Sequence, residues 1–120
     1  MQYQTRRVVM YSHLNSAGVL FGGQALAWID EESAIFAASE VGHARIVTKK
    51  MSEVEFKNPA NLGDILIIGT RLASVGRTSL TVKCEIRNQT SGKVIVTVEE
   101  VVFVALDENN KPTPHNLPSV

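Results

Sequence analysis

Two adjacent glycines and, seven residues after the second, a run of three carboxylic acids are where this sequence could do chemistry. Gly22 and Gly23 stand directly before a helix-forming stretch. The first N–H groups of a helix have no intrahelical acceptor, and with no side chain in the way an anion or a developing oxyanion can reach them. A Gly-Gly pair also serves as a plain tight turn, so the pair by itself leaves both readings open. Asp30, Glu31 and Glu32 lie among Leu26, Ala27, Trp28, Ala34, Ile35 and Phe36. Such acids usually form a solvated helix face. Against an apolar neighbour, however, a carboxyl titrates above its reference of about 3.9 for Asp or about 4.3 for Glu, and becomes a better base near neutrality. The helical pattern does not choose among the three.

Other reactive residue types are less telling. His13, His43 and His115 are scattered without metal-ligand spacing and read as surface or loop residues. Cys84 falls on the apolar phase of a strand with no basic partner near it in sequence, and reads as a small core residue rather than a nucleophile. There is no nucleophile elbow and no phosphate-binding P-loop. Neither a metal nor a cofactor is expected. Twelve basic and twelve acidic residues cancel, so no long-range field gathers nucleic acid or an anionic membrane. One cysteine closes no intramolecular disulfide, the N-terminus is polar and basic through Arg7, and no apolar run approaches the roughly 20 residues that span a bilayer. A soluble, cytoplasmic protein is expected.

The elements that must position these residues follow from periodicity. At 120 residues, with 44% hydrophobic side chains, the chain reads as a single folded domain over 1–120. Thr5–Tyr11 is rich in β-branched and aromatic residues and predicts a strand, followed by a loop from His13 to Gly18. Gln24 to Val41 contains neither Gly nor Pro and ends at Gly42, which predicts one long helix. Its apolar residues cover more than one stripe, so something must wrap it on several sides. Leu80, Val82, Cys84 and Ile86 alternate with Thr81, Lys83, Glu85 and Arg87, the repeat of a half-buried strand. Ala44–Phe56, Asp64–Ser74 and Lys93–Leu106 are also β-rich, with Thr90-Ser91-Gly92 as hairpin turn. The tail Asn109 to Pro114 reads as turn and extended surface linker. Connections this short exclude parallel crossovers. The fold class is α+β, a curved antiparallel sheet around one long central helix.

Taken together, Asn15-Ser16-Ala17-Gly18-Val19-Leu20-Phe21-Gly22-Gly23 and the later Ile29-Asp30 resemble the signature of the hotdog-fold acyl-CoA thioesterases of the cytosolic acyl-CoA hydrolase group. Phe56-Lys57-Asn58-Pro59, Gly63-Asp64, Val75-Gly76-Arg77-Thr78-Ser79, and Phe103 to Asp107 followed by Lys111-Pro112 resemble further landmarks of that family in the same order. The resemblance implies the hotdog fold that periodicity also reaches. It implies an acyl-CoA substrate, with Asp30 as general base or nucleophile, the Gly23 backbone N–H as oxyanion donor beside Gly22, and Asn15, from the partner subunit, placing the carbonyl or the water. Arg77, Thr78 and Ser79, and more loosely Lys111, stand where the family meets the nucleotide or pantetheine part of coenzyme A. Glu32 and Ser33 depart from the small residues that relatives carry after the catalytic acid, which bears on acyl-chain preference.

The same resemblance implies a homo-oligomer of dimers, a hexamer as trimer of dimers first and a tetramer second. Sheet edges and an over-apolar helix supply an independent reason for assembly. The competing reading is a non-catalytic hotdog domain that binds acyl-CoA as a sensor.

Overall fold

In the computed structural model, which describes residues 1–120, the helix α1 spans Gly22–Val41. It begins earlier than the glycine-free stretch predicts, because the first N–H groups of a helix make no intrahelical bond whatever residue carries them. It stops at Gly42, whose φ of 92° lies in the left-handed region and whose N–H donates to Ala38 C=O at 2.8 Å. A side chain there would be strained, so glycine sets the end of the helix.

The strands β1 (Gln2–Val8), β2 (Ile46–Phe56), β3 (Ile65–Val75), β4 (Ser79–Asn88) and β5 (Val94–Ala105) form one antiparallel sheet in the order β1-β3-β4-β5-β2. The first strand lies nearer the N-terminus than its composition predicts. Val8 pairs with Ile65, the first residue of β3, and Val9 still exchanges bonds with the chain before it, Val9 N–H to Asp64 C=O at 2.9 Å and Gly63 N–H to Val9 C=O at 2.8 Å, beyond which no ladder continues. The chain instead closes a single 3₁₀ turn at Tyr11–His13.

Leu80, Val82, Cys84 and Ile86 are all 0% exposed, as the alternation in β4 requires. With Ile29 and Trp28 of α1 they form the core between helix and sheet, each large aliphatic side chain contributing about 1.5–3 kcal/mol by burial. Only one side of α1 is covered. Ala27, Glu31, Ile35 and Ser39, one turn apart, are exposed, and Ile35 retains 61% of its surface. β2 is an edge strand with Val47 and Phe56 also exposed. A single chain therefore leaves open the face of the helix that its composition predicts to be covered. No helix is long and apolar enough to cross a membrane.

Burial pushes the Cys84 thiol up from 9.0 to about 11. The unfolded chain then loses this proton at lower pH than the folded one, so the stabilising contribution is complete below about pH 9 and disappears as pH rises toward the folded value. Between about pH 8 and about pH 10.5, unfolding in urea should show a loss of about 2 kcal/mol that Cys84→Val lacks. Identical pH profiles for the two proteins would contradict this.

Candidate functional site

The loop before α1 is built by backbone bonds. Asn15 N–H donates to Val19 C=O at 2.8 Å and Gly18 N–H to Asn15 C=O at 3.0 Å, with Gly18 at a left-handed φ of 80°. The Asn15 side chain closes the same turn, its Oδ1 accepting from Ala17 N–H at 2.9 Å and from Val19 N–H at 3.2 Å. Both bonds use the oxygen. The Nδ2 donors have no acceptor in the chain, so the carboxamide is free to donate to a ligand oxygen.

Leu20 N–H then bonds Ala60 C=O at 2.8 Å, Phe21 N–H bonds His13 C=O at 2.9 Å, and Ala25 N–H closes the first turn of α1 on Phe21 C=O at 3.1 Å. The N–H groups of Gly22, Gly23 and Gln24 have no acceptor, and Phe21 supplies no side-chain cap. A Cβ at Gly23 would lie 2.5 Å from the Phe21 ring, so the ring can fold over the helix entrance only because residue 23 is glycine. Three open N–H groups at the positive end of a helix suit an oxyanion. Beside them lies a mainly apolar cavity of about 280 Å³ lined by Val19, Leu20, Gly22, Ala25, Phe56 and Ile95 among others.

The structure separates the three acids that the sequence pattern leaves equivalent. Glu32 is the buried one, 8% exposed, and its Oε1 lies 2.6 Å from Arg7 Nη2. Glu31 is exposed and 3.4 Å from the same guanidinium. Asp30 is half-buried, has no cationic partner, and accepts at Oδ1 from the Thr48 hydroxyl at 2.7 Å. The most buried of the three is thus paired with Arg7, and Asp30 is the one with no cation beside it. Thr48 was not legible in the sequence. It lies in the weakly patterned strand β2, and only the packing of α1 on that strand brings it to Asp30.

Gly23 and Asp30 are seven residues apart on one helix, about 10 Å along its axis, too far for one carbonyl group to touch both. Gly22 lies against Phe56 at the end of β2, whereas Asp30 meets Thr48 near its start. Asn15 is bonded within its own loop and contacts neither. One chain carries its open donors, Asn15 Nδ2 on the loop and the Gly22 and Gly23 N–H groups at the helix entrance, as a donor half, and separately an acceptor half, Asp30 with Thr48.

Arg77, Thr78 and Ser79 form the β3–β4 turn, at the end of the sheet where Ser79 pairs with Val104 and Thr48 with Phe103. The Arg77 guanidinium is exposed and unpaired. The tail, expected as turn and extended surface linker, runs along this turn and the end of β5. Thr113 N–H bonds Ala105 C=O at 2.9 Å, His115 N–H bonds Arg77 C=O at 3.3 Å, and His115 Nε2 lies 2.7 Å from Ser79 C=O. Arg77 C=O, in the turn, is reached by no sheet neighbour and accepts one of these bonds, whereas Ser79 C=O also accepts from Gly76 N–H at 2.9 Å. Lys111, with N–H bonded to Asp107 Oδ1 at 3.0 Å, presents a second free cation from the adjoining turn. The cations thus stand at the acceptor-half end of the sheet, away from Gly23.

The sequence matches the thioesterase superfamily over residues 17–95. It is 31% identical over 115 residues to an uncharacterized acyl-CoA thioester hydrolase of Zymomonas mobilis, covering 89% of this chain and 73% of that one. Among solved structures it resembles an acyl-CoA hydrolase of Staphylococcus aureus in complex with butyryl coenzyme A, coenzyme A and coenzyme A disulfide (TM-score 0.85, 33% identity, 97% of this chain and 68% of that one). It also resembles a hexameric hotdog fold thioesterase of Campylobacter jejuni (TM-score 0.82, 30% identity, 95% and 90% covered). With its long helix laid on a five-stranded antiparallel sheet and open N–H groups at the helix entrance, the chain belongs to the thioesterase superfamily and has the hotdog fold.

Proposed function

We propose that this protein hydrolyses acyl-CoA thioesters at sites shared between two subunits of a homo-oligomer. The observation that carries the reading is the division of the site. The oxyanion donors and Asp30 lie about two turns apart on the β2 side of one helix, and a second chain running the opposite way would bring the donor half of one against the acceptor half of the other. Gly23 N–H and Asn15 Nδ2–H hold the thioester oxygen. Asp30 of the partner subunit, oriented by the Thr48 hydroxyl, takes a proton from the attacking water or attacks the carbonyl itself. In the water route, the hydroxyl oxygen bonds to the carbonyl carbon, negative charge collects on the oxygen facing Gly23, and collapse breaks the C–S bond and releases the coenzyme A thiolate, which recovers the proton. The apolar cavity beside Gly22 suits the acyl tail, and Arg77 and Lys111 suit phosphates of coenzyme A. The unpaired sheet edge at β2 and the bare face of α1 favour dimers, and the hexameric relatives favour three of them in a ring-like trimer, in the cytoplasm.

A hydrolysis assay over a panel of acyl-CoAs, reading free thiol, tests the proposal directly. Turnover supports it. Tight binding without turnover would support the sensor reading instead, and neither would sink both. Arg77→Ala should raise KM about tenfold for acyl-CoA while leaving a truncated pantetheine thioester nearly unaffected, because a guanidinium that meets a phosphate leaves the reacting carbon alone. Equal losses on the two substrates would remove Arg77 from the nucleotide site.

A further inference from the structure

The segment carrying Asn15 has little hydrophobic anchorage, since Asn15, Ser16, Ala17 and Gly18 are all exposed. Beyond the bridges of Leu14 to Leu20 and Val19 to Asn61, His13 ties it to the helix entrance. The His13 N–H donates to Met10 C=O at 2.9 Å, its ring Nδ1 accepts from Met10 N–H at 2.9 Å, and its C=O accepts from Phe21 N–H at 2.9 Å. Acceptance at Nδ1 places the proton of the neutral ring on Nε2. The ring also stands edge-on to Trp28, with centroids 4.9 Å apart and planes at 81°. Trp28 is 3% exposed, and the Arg7 guanidinium paired with Glu32 lies 5.7 Å from its centroid. One residue thereby ties the turn after β1, the helix cap and a core indole together, with Asn15 two positions on and Gly23 two positions beyond Phe21.

We infer that His13 is a positioning residue, fixing the angle between the Asn15 carboxamide and the Gly23 N–H and acting on the reaction only through them. The inference rests on the proposed hydrolysis at this site. Two substitutions separate the contacts. His13→Phe keeps a ring for Trp28 but leaves Met10 N–H without its acceptor. His13→Gln restores an acceptor, since Gln at the third position of a helical turn reaches back to the cap N–H.

The expected results, on oligomers with wild-type mass and circular dichroism, are a fall in kcat of about 10- to 100-fold for His13→Phe with KM changed by less than about twofold, and a kcat within about fivefold of wild type for His13→Gln. In an Asn15→Ala background, His13→Phe should cost much less than it does alone, because part of what it positions is already gone. Should His13→Phe fail to assemble, His13→Ala carries the same expectations. Full kcat in the Phe or Ala variant, a loss confined to KM, no recovery with Gln, or losses that multiply with Asn15→Ala would each overturn the positioning role. A wild-type protein inert on every acyl-CoA would instead overturn the proposed activity, which keeps the two failures distinct.

Discussion

Replacing Asp30 with Asn should leave the folded oligomer intact and reduce kcat by about 10² to 10⁴, the range a general base supplies. The volume is unchanged, the Thr48 hydroxyl can still donate to the amide oxygen, and no ion pair is broken, since Asp30 has none. What disappears is the ability to take a proton or to attack a carbonyl. The neighbouring acid provides the contrast. Glu32→Gln breaks a short pair with Arg7 in which Glu32 retains 10% and Arg7 30% of side-chain exposure. It should lower stability by about 1–2 kcal/mol, the lower part of the buried-pair range because Arg7 is partly solvated, while kcat holds within a few-fold. Steady-state kinetics and urea unfolding on both variants check the assignment. A fully active Asp30→Asn enzyme would move the catalytic role to Glu31 or Glu32.

Mixing two impaired variants should regenerate activity. Asn15→Ala removes the donor half and Asp30→Asn the acceptor half, and because one helix holds Gly23 and Asp30 about 10 Å apart, each productive site must draw on two chains. After random subunit exchange at equal amounts, about one quarter of sites combine an intact donor half with an intact acceptor half, so about one quarter of wild-type turnover should return. From two proteins of greatly reduced turnover this is a large gain. Exchange is verified independently by mass or fluorescence, and activity that stays at background after proven exchange would rule out the shared site. Light scattering that found an active monomer would do the same.

Much of this protein is readable from the sequence because the interactions responsible act within a few residues. Alternation from Leu80 to Ile86 places those side chains on one face of β4 with no further information, and Gly42 ends α1 through its own left-handed φ. The helix entrance is legible on the same ground, since open N–H groups follow from where a helix starts, as does the likeness of the Asn15 to Gly23 segment and Asp30 to one family of enzymes.

What the sequence could not settle depends on groups that packing alone brings together. Nothing in Asp30-Glu31-Glu32 says which acid is paired. Arg7 reaches Glu32 across 25 residues, and Thr48 reaches Asp30 across 18, because β1 and β2 form the two opposite edges of the sheet on which the helix lies. The end of β1 at Val8 is decided by where its partner β3 begins, not by its own β-branched residues. The tail from Asn109 to Pro114 reads as turn and surface linker by composition, and only the folded sheet brings Ala105 C=O within reach of Thr113 N–H and Arg77 C=O within reach of His115 N–H just beyond it. His13 reads alone as a loop histidine; its two bonds with Met10 are local, but the bond it accepts from Phe21 N–H and its contact with Trp28 depend on where α1 lies. Local chemistry dictates periods, caps and turns, whereas the pairing of side chains far apart in sequence is fixed by the entropy-limited choice of one packed arrangement out of many.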